Sequence, residues 1–405
     1  MSLLLSLAWR NVWRNRTRSL IIVGSVALGM WAALFLAAFY QGMVDQRMRS
    51  IIRDESSHLQ LHHPAFPADL EPRYLIPAAD STAQALRVRP GVRQVAPRAL
   101  LSGMISSPTG TAGVRLNGVD PVIEDSTTHL SAKLVQGSGL DQGKRNGILV
   151  SERLAKKLKV KLRSKVVILT QDTAGGMASG AFRIQGIYRT INAPYDDANV
   201  FITRAAAGEQ IGVAGACHEI AVLLEDDAAL AWQKGALARA LPHLEVKDWK
   251  EVVPEAALLV ESFDEYMAIF SVIIFLGLAF GLVNTMLMAV LERTREIGML
   301  VSIGMGRGRV FRMVVLETVF LVLVAVPVGL LVAWASIAHY HTTGIDLRSF
   351  SAATSSFGFD LVVRPATTGG HVVRTLVMVV LTALLSAAWP AWKALRINAT
   401  EAIRK

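Results

Sequence analysis

This 405-residue chain has little charge and almost no cysteine. Only 18% of its residues are charged, whereas 52% are hydrophobic, and its mean hydropathy is +0.40. This composition excludes an ordinary soluble globular protein and is typical of a chain that crosses a membrane several times. Cys217 is the only cysteine, which excludes an intrachain disulfide. Any domain outside the membrane must therefore be stabilised by its own hydrophobic core.

The sequence also lacks a phosphate-binding loop. That loop requires the pattern G-x-x-x-x-G-K-[ST], but Gly143-Lys144 is followed by Arg145 and has no glycine at the required upstream position. No Ser-His-Asp arrangement can be argued from spacing either. We therefore expect a non-catalytic chain that binds no cofactor itself.

Long charge-free runs, in contrast, are abundant. A transmembrane helix needs about 20 apolar residues, and four runs meet or approach that length. They are residues 20–40, 266–291, 318–338 and 375–392. The first run follows basic residues as a signal peptide does, but its apolar stretch is too long for one, so we expect a retained anchor.

Basic residues concentrate in three segments next to these runs: 1–19, 292–312 and the tail from 393. Together these segments hold thirteen lysines and arginines against three glutamates, which accounts for the whole net charge of +10. The positive-inside rule therefore predicts that both termini are cytoplasmic and that residues 41–262 lie outside. The same distribution excludes a basic nucleic-acid-binding surface.

Residues 41–262 alternate between strand-like and helix-like patterns. Residues 113–119 alternate in polarity, and 166–170 and 182–188 are predicted to be paired strands. Ser151 precedes a short amphipathic segment and is predicted to be its N-cap. The pattern indicates a mixed α+β domain of two lobes.

The predicted fold is an α-helical membrane protein with four transmembrane helices and a large α+β extracytoplasmic domain between helices 1 and 2. The predicted regions are a cytoplasmic amphipathic segment (1–19), helix 1 (20–40), the periplasmic domain (41–262), helix 2 (263–291), a cytoplasmic elbow (292–312), helix 3 (313–338), a periplasmic loop (339–370), helix 4 (371–392) and a cytoplasmic tail (393–405).

Three segments carry a resemblance to a known family. All three resemble parts of the FtsX/MacB class of ABC-transporter permeases. Residues 284–305 resemble the second helix of that class with its elbow, residues 389–404 resemble its C-terminal signature, and residues 7–19 resemble its N-terminal segment. The region 263–405 is then the FtsX-like permease domain, and the outer domain is a MacB-like core. Shorter matches at 60–64, 119–121 and 147–158 are similar to the lipoprotein-releasing LolC/LolE branch.

The resemblance implies a permease subunit in a bacterial inner membrane. Two cytoplasmic ABC ATPase subunits, which bind ATP and Mg, would be separate chains, and a second permease subunit would be identical or homologous. The LolC/LolE branch implies extraction of acylated lipoproteins from the membrane and transfer to a periplasmic carrier. The alternatives are an FtsX-like regulator of a cell-wall hydrolase and a MacB-like efflux permease.

The elbow is the predicted contact for the ATPase, because it combines a charged helical face with an apolar one that can enter a groove. An ordinary positive-inside loop would explain its arginines but not its glutamates and apolar residues. The predicted docking residues are Glu292, Arg293, Arg295, Glu296, Ile297, Gly298 and Met299.

The family resemblance also implies a cavity between the first and second helices, where large apolar side chains would contact acyl chains. The alternative is that these side chains pack within the protein or face lipid. The candidates are Trp31, Phe35, Phe39 and Met43 on the first helix and Phe263, Met267 and Phe270 on the second.

Three further features have both structural and functional interpretations. Glu317 lies inside the third span, and we favour an ion pair with Arg312, Arg293 or the tail over a proton relay. Gly277 and Gly281 form a G-x-x-x-G pattern that permits close helix packing, within or between subunits. His58, Gln60, His62 and the adjacent His63 lack the convergent ligands that a metal site needs, so we expect no metal.

Overall fold

The computed structural model describes residues 2–143, 146–350 and 358–395. Lys144, Arg145 and the tail from residue 396, including the end of the C-terminal motif, lie outside the described residues. The chain divides into two compact units. The helical unit comprises Met1–Met43, Ser262–Ile345 and Val362–Lys405, and the α+β unit comprises Val44–Glu261 and Asp346–Leu361.

The α-helices are α1 (Ser2–Arg14), α2 (Arg16–Ser50), α3 (Phe66–Asp69), α4 (Ala79–Arg87), α5 (Pro121–Thr128), α6 (Glu152–Lys157), α7 (Ala193–Ala198), α8 (Arg204–Ile211), α9 (Leu230–Ala240), α10 (Trp249–Val252), α11 (Pro254–Glu261), α12 (Phe263–Glu292), α13 (Thr294–Ser302), α14 (Arg307–Thr343) and α15 (Gly369–Leu395). A π-helical segment, Ile51–Ser56, continues α2.

The strands are β1 (Leu59–His62), β2 (Val92–Ser107), β3 (Gly110–Val119), β4 (Leu134–Gly137), β5 (Gly147–Ser151), β6 (Lys165–Gln171), β7 (Met177–Tyr188), β8 (Asn199–Thr203), β9 (Glu219–Leu224), β10 (Glu245–Asp248), β11 (Ile345–Asp346) and β12 (Val362–Val363).

Four helical stretches are long and apolar enough to cross a membrane, as the sequence predicts. They are Arg16–Ser56, Pro254–Glu292, Arg307–Thr343 and Gly369–Lys393. Each exceeds the roughly 20 residues that a hydrocarbon core requires. The second stretch consists of α11 and α12 with Ser262 between them.

Close helix packing in the helical unit depends on small residues. A Cβ atom added at Gly329 of α14 would lie 3.0 Å from the carbonyl oxygen of Ala27 on α2, and one at Gly29 would lie 3.3 Å from Leu278 of α12. Larger side chains at these positions would force the helices apart, as is usual for small residues at transmembrane helix contacts. Around these contacts lies one hydrophobic core to which α2, α12, α14 and α15 all contribute.

The α+β unit is organised around the long strand β2. The sheet order is β10-β1-β9-β2-β3-β8-β5-β7-β4, and β6 pairs with both β2 and β7. Residues of β2 up to Arg98 pair with β9, and residues from Ala99 onward pair with β3. One hydrophobic core lies around β1, β9, α4 and α9, and a second lies around β3, β5 to β8, α6 and α8.

Several local predictions for this unit are confirmed. The Ser151 hydroxyl accepts a hydrogen bond from the Leu154 amide and caps α6, as its position before an amphipathic run predicts. Strands β6 and β7 are paired and antiparallel. Strand β3 contains residues 113–119, which were predicted to alternate in polarity. Residues 113–116 alternate between exposed and buried.

Candidate functional site

The elbow between α12 and α14 contains a short helix, α13, with breaks on both sides. Arg293 follows the last residue of α12, and the backbone of Gly304 adopts φ +101, which a residue with a side chain rarely tolerates. Ile297 on the inner face of α13 is buried in the core of the helical unit. The elbow is therefore held against the bundle by its apolar face, while its other faces remain outside the core.

Two arginines at the start of the chain bind the two elbow glutamates. The Arg14 guanidinium donates to both carboxylate oxygens of Glu296, at 2.6 and 2.7 Å, and Arg18 reaches Glu292 at 3.3 Å. The paired Arg14 and Glu296 side chains are 54% and 42% exposed. Such an exposed pair contributes at most about 1 kcal/mol to stability, because water competes for both charges.

Arg293 connects the elbow to the third predicted span. It contacts Glu296 at 3.2 Å and Glu317 of α14 at 3.1 Å, and Arg18 lies 3.9 Å from the same Glu317 carboxylate. Glu317 is buried, so this pairing provides the countercharge that a buried carboxylate needs. Of the partners that the sequence offers for Glu317, namely Arg312, Arg293 and the tail, Arg293 forms the ion pair.

These contacts define a coupling cluster, which consists of Arg14, Arg18, Glu292, Arg293, Glu296 and Glu317. The hydrogen bond from Arg14 is the main cause that lowers the pKa of Glu296 below its usual value, with Arg293 adding to the effect. Glu296 therefore remains ionised at neutral pH. The cluster joins α1, the start of α2, the elbow and α14 by charge rather than by apolar packing.

The elbow also presents a row of exposed residues spaced four apart. Leu291, Arg295, Met299 and Ile303 are all exposed, and the three apolar members are large. A spacing of four residues places α13 side chains on one face of the helix. Exposed apolar residues beside a charge are typical of a surface that binds another protein. We call this row the elbow ridge.

A cleft of about 450 Å³ lies beside the ridge within the helical unit. Four helices line this cleft. Representative lining residues are Asn11 and Arg14 of α1, Met286 of α12, Met299 of α13 and Val314 of α14. Methionine and other flexible apolar side chains suit a groove that accepts a helix or loop of another chain. The Arg14–Glu296 pair lines the same cleft.

The structure brings the predicted docking residues together but gives them different surroundings. Arg295 and Met299 are exposed on the ridge, and Glu292 is exposed while it pairs with Arg18. Ile297 and Gly298 are buried. The remaining two, Arg293 and Glu296, belong to the coupling cluster.

Sequence reasoning did not identify Arg14, Arg18 or Ile303 as parts of this site. A usable signal existed, because Arg14 and Arg18 are four residues apart, as are Glu292 and Glu296. Matching spacings of opposite charge on two helices indicate a possible double ion pair. Ile303 follows the last turn of α13 and continues the four-residue spacing of the ridge.

The candidate substrate residues of the first helix lie against α14 or remain half-buried. Trp31 donates from Nε1 to the Ser336 hydroxyl at 3.0 Å and stacks on Phe35, whose ring meets Tyr340. Phe39 and Met43 are half-buried. Trp31 and Phe35 thus have packing roles within this chain.

The candidates of the second helix differ among themselves. Phe263 is buried and stacks on Tyr40 with ring centroids 5.2 Å apart, and Met267 is also buried. Phe270 is exposed. Of these three, Phe270 alone offers a free apolar surface to lipid, a second subunit or a substrate.

Gly277 and Gly281 of α12 have no close neighbour on another part of the described chain. A Cβ added at either glycine would meet no described atom within 4 Å. The G-x-x-x-G pattern therefore does not serve a close contact among the described parts of this chain.

The four residues weighed for a metal site have other partners. His58 contacts Asp227 at 2.8 Å, and His62 contacts the Gln60 side chain at 3.1 Å. His63 stacks on Tyr74. Among the residues that the structure describes, no group of three or more His, Cys, Asp or Glu could hold a metal ion.

Comparison with known proteins assigns both parts of the chain. Residues 19–237 match the family described as the MacB-like periplasmic core domain, and residues 268–399 match the FtsX-like permease C-terminal family. A relative named pyoverdine export ATP-binding/permease protein PvdT, from Pseudomonas syringae pv. tomato, is 23% identical over 378 residues. The alignment covers 88% of this chain and 55% of the relative, so the chain spans about half the relative's length.

One similar solved structure is the periplasmic region of MacB from Actinobacillus actinomycetemcomitans, which is 14% identical to this chain with a TM-score of 0.36. The alignment covers 52% of this chain and 95% of the MacB chain. A second is the extracellular domain of the noncanonic ABC-type transporter YknZ from Gram-positive bacteria, also 14% identical, with a TM-score of 0.34. That alignment covers 47% of this chain and 99% of the YknZ chain.

The match to the MacB-like core domain alone includes more than half of the chain. The match to the FtsX-like family includes the elbow, the last two candidate spans and the second span from residue 268 onward. The chain therefore belongs to the FtsX/MacB class of ABC-transporter permeases, membrane proteins with a MacB-like periplasmic core domain.

Proposed function

We propose that this permease transmits motion from two separate cytoplasmic ABC ATPase subunits to its periplasmic domain. The ATP and Mg are bound by the ATPase subunits, and this chain supplies no catalytic residue. The observation that carries the proposal is that the exposed elbow ridge and the coupling cluster both include residues of the short helix α13. Both termini and the elbow are cytoplasmic in this proposal, consistent with their excess of basic residues.

The elbow geometry supports transmission in two steps. An ATPase that grips Arg295, Met299 and Ile303 would pull on α13, which is joined to α12 and α14 by only a few residues at each end. The coupling cluster then passes that displacement to α1 and α14. Because the Arg14–Glu296 pair is exposed, it breaks and re-forms at a cost of about 1 kcal/mol or less.

The decisive experiment reverses one charge in the cluster. Glu296→Lys places a cation beside Arg14 and Arg293, and we expect transport per ATP hydrolysed to fall about fivefold or more, as the loss of about 1 kcal/mol of coupling predicts. Transport and ATP hydrolysis would be measured together in proteoliposomes that contain the permease and its co-purified ATPase.

The matched control is Glu265→Lys, which makes the same change at an exposed position near the other end of α12. It should leave coupling unchanged. Circular dichroism should show that both variants remain folded. Full coupled activity of the Glu296→Lys complex would contradict the elbow assignment.

The proposed cargo is an acylated lipoprotein, extracted from the inner membrane by a dimer of permease subunits and passed to a periplasmic carrier. Support for this cargo comes from the short matches in the outer domain to the lipoprotein-releasing branch. Depletion of the protein should leave lipoproteins in the inner-membrane fraction. Normal sorting after depletion would contradict this cargo and leave the coupling proposal intact.

A second candidate function is export of a small molecule. The similarity to a relative that is named for pyoverdine export favours it. In that case depletion would leave lipoprotein sorting normal and reduce secretion of a small product, which metabolite profiling of the culture medium would detect.

A further inference from the structure

The junction between α2 and the sheet of the α+β unit has an unusual helical winding. Helix α2 runs from the helical unit into the α+β unit, and its last turns belong to the latter. It continues as the π-helical segment Ile51–Ser56, and β1 begins at Leu59. A π-helix is rare and occurs mostly as a single turn, frequently at a functional site. The winding at this junction therefore calls for a physical explanation.

The backbone of the residue that ends this segment is strained. Ser57 adopts φ +61 and ψ −176, a region that is populated almost only by glycine, because a side chain there meets the backbone. Ser57 is also completely buried, and its hydroxyl has no hydrogen-bond partner among the described residues. Both features destabilise this conformation, so contacts elsewhere in the segment must hold it in place.

Polar contacts hold the π-helical segment from two sides. The side-chain amide of Gln60, on β1, donates to the Ser56 carbonyl at 2.9 Å, and the Ser56 hydroxyl donates to the Ile51 carbonyl at 3.3 Å. On another face, Asp54 pairs with Lys133 at 2.8 Å. The end of the membrane helix is thus tied to the first strand of the sheet and to a separate segment of the same unit.

A buried ion pair depends on the π-helical winding. Arg47 Nη1 donates to Glu55 Oε1 at 2.6 Å, and both side chains are 8% exposed. Eight residues of α-helix turn through about 800°, which would leave these two side chains about 80° apart around the helix axis. A π-helix closes its hydrogen bonds over five residues and turns less per residue, so it brings Glu55 toward the face of Arg47.

The same carboxylate has a further partner outside the helix. Glu55 Oε1 also accepts a hydrogen bond of 3.0 Å from the Asn192 side chain. The ion pair and this hydrogen bond favour the π-helical winding, whereas the strain and the unpaired hydroxyl at Ser57 oppose it. Strained residues of this kind cluster at switch regions, where opposing contributions leave two conformations close in free energy.

We propose that residues 51–57 form a joint that rewinds between π- and α-helical forms, and we call it the α2 joint. In the α-helical form the residues turn through about 100° each, which separates Arg47 from Glu55 and releases Ser57 from its strained conformation. The last turns of α2 thereby rotate relative to β1 while the sheet stays intact. The proposal concerns the joint alone and does not depend on the ATPase or on the cargo.

The test measures the distance between two nitroxide labels by double electron-electron resonance, on the full-length protein in nanodiscs. The labels are attached to Arg49→Cys on α2 and Thr111→Cys on β3, both exposed positions, in the Cys217→Ala background. We expect two distances, because rotation of α2 moves the label at position 49.

Two variants should shift the populations of these distances in opposite directions. Ser57→Gly removes the strain of the π-helical form, and we expect the population of the α-helical form to fall about tenfold. Glu55→Gln removes the charge that pairs with Arg47 but keeps an oxygen for Asn192, and we expect that population to rise about tenfold or more.

The matched control is Arg53→Gln, which changes an exposed side chain of the same π-helical segment. It should leave both populations unchanged, and circular dichroism would show which variants are folded. Ser57→Gly removes only a hydroxymethyl group, so it keeps the test decisive if Glu55→Gln does not fold. A single distance in every folded variant, or a second distance whose population is insensitive to Ser57→Gly, would overturn the proposal.

Discussion

The two units of this permease each contain a cluster of arginine and glutamate, and the clusters differ in exposure. In the α+β unit, Arg98 contacts Glu124 at 2.7 Å and Glu219 at 2.8 Å, and all three residues are buried. In the helical unit, the Arg14–Glu296 pair of the coupling cluster is about half exposed.

The difference in exposure agrees with the proposed transmission of motion through the elbow. Arg98 lies where β2 changes partner from β9 to β3, and Glu124 lies on α5. Breaking that cluster would leave buried charges without a partner or water, which costs several kcal/mol. The cluster therefore holds the two halves of the sheet together. The exposed Arg14–Glu296 pair at the elbow breaks at little cost, which is what the proposed transmission of motion needs.

The largest expected effect concerns the side of the membrane on which each unit lies. Val88 in the α+β unit and Ile303 on the elbow ridge are 82% and 85% exposed, which makes them a matched pair. With Cys217→Ala as background, a membrane-impermeant maleimide added to intact spheroplasts should label Val88→Cys fully and Ile303→Cys only after lysis.

Cys217 is a poorly reactive thiol even before that substitution. It is buried, and burial raises the pKa of its thiol to about 12, so the reactive thiolate is scarce at neutral pH. Labelling of Ile303→Cys from outside would place the elbow in the periplasm and remove the basis of the comparison between the two clusters.

The next effect is a loss of stability confined to the buried cluster. Arg98→Met leaves Glu124 and Glu219 buried without a countercharge, and we expect the free energy of unfolding of the α+β unit to fall by about 3–5 kcal/mol. The fluorescence of Trp232 and Trp249, the tryptophans of that unit, would report its denaturation by urea.

The matched change in the exposed cluster is the control and the smallest effect. Arg14→Met should change the free energy of unfolding by less than about 1 kcal/mol, because water solvates the freed Glu296. Equal losses in the two variants would mean that exposure does not distinguish the clusters, and the assignment of fixed and movable parts would then be wrong.

Much of the architecture could be predicted from the sequence because it depends on local pattern. Charge-free runs long enough for a bilayer identify the four candidate spans, and alternation identifies β3. The cap at Ser151 was predictable for the same reason, since a hydroxyl before an amphipathic run needs only its neighbours to act.

The site was harder to predict because its contacts join distant residues. Arg14 and Glu296 are separated by 282 positions, and no local pattern states that they meet. Glu296 looked like a docking residue because it is charged and lies on an exposed helix. The structure gives it an intramolecular partner and leaves Arg295, Met299 and Ile303 as the open surface.

The most direct test of the account is a cross-link from the elbow ridge to the ATPase. Met299→Cys in the Cys217→Ala background would carry a thiol-linked photoreactive group, and the complex with its ATPase would be photolysed in nanodiscs. We predict a covalent adduct between the permease and the ATPase from position 299, and none from Val88→Cys in the same complex. An intact complex that gives no adduct from position 299 would contradict the claim that the ATPase drives this permease through its elbow.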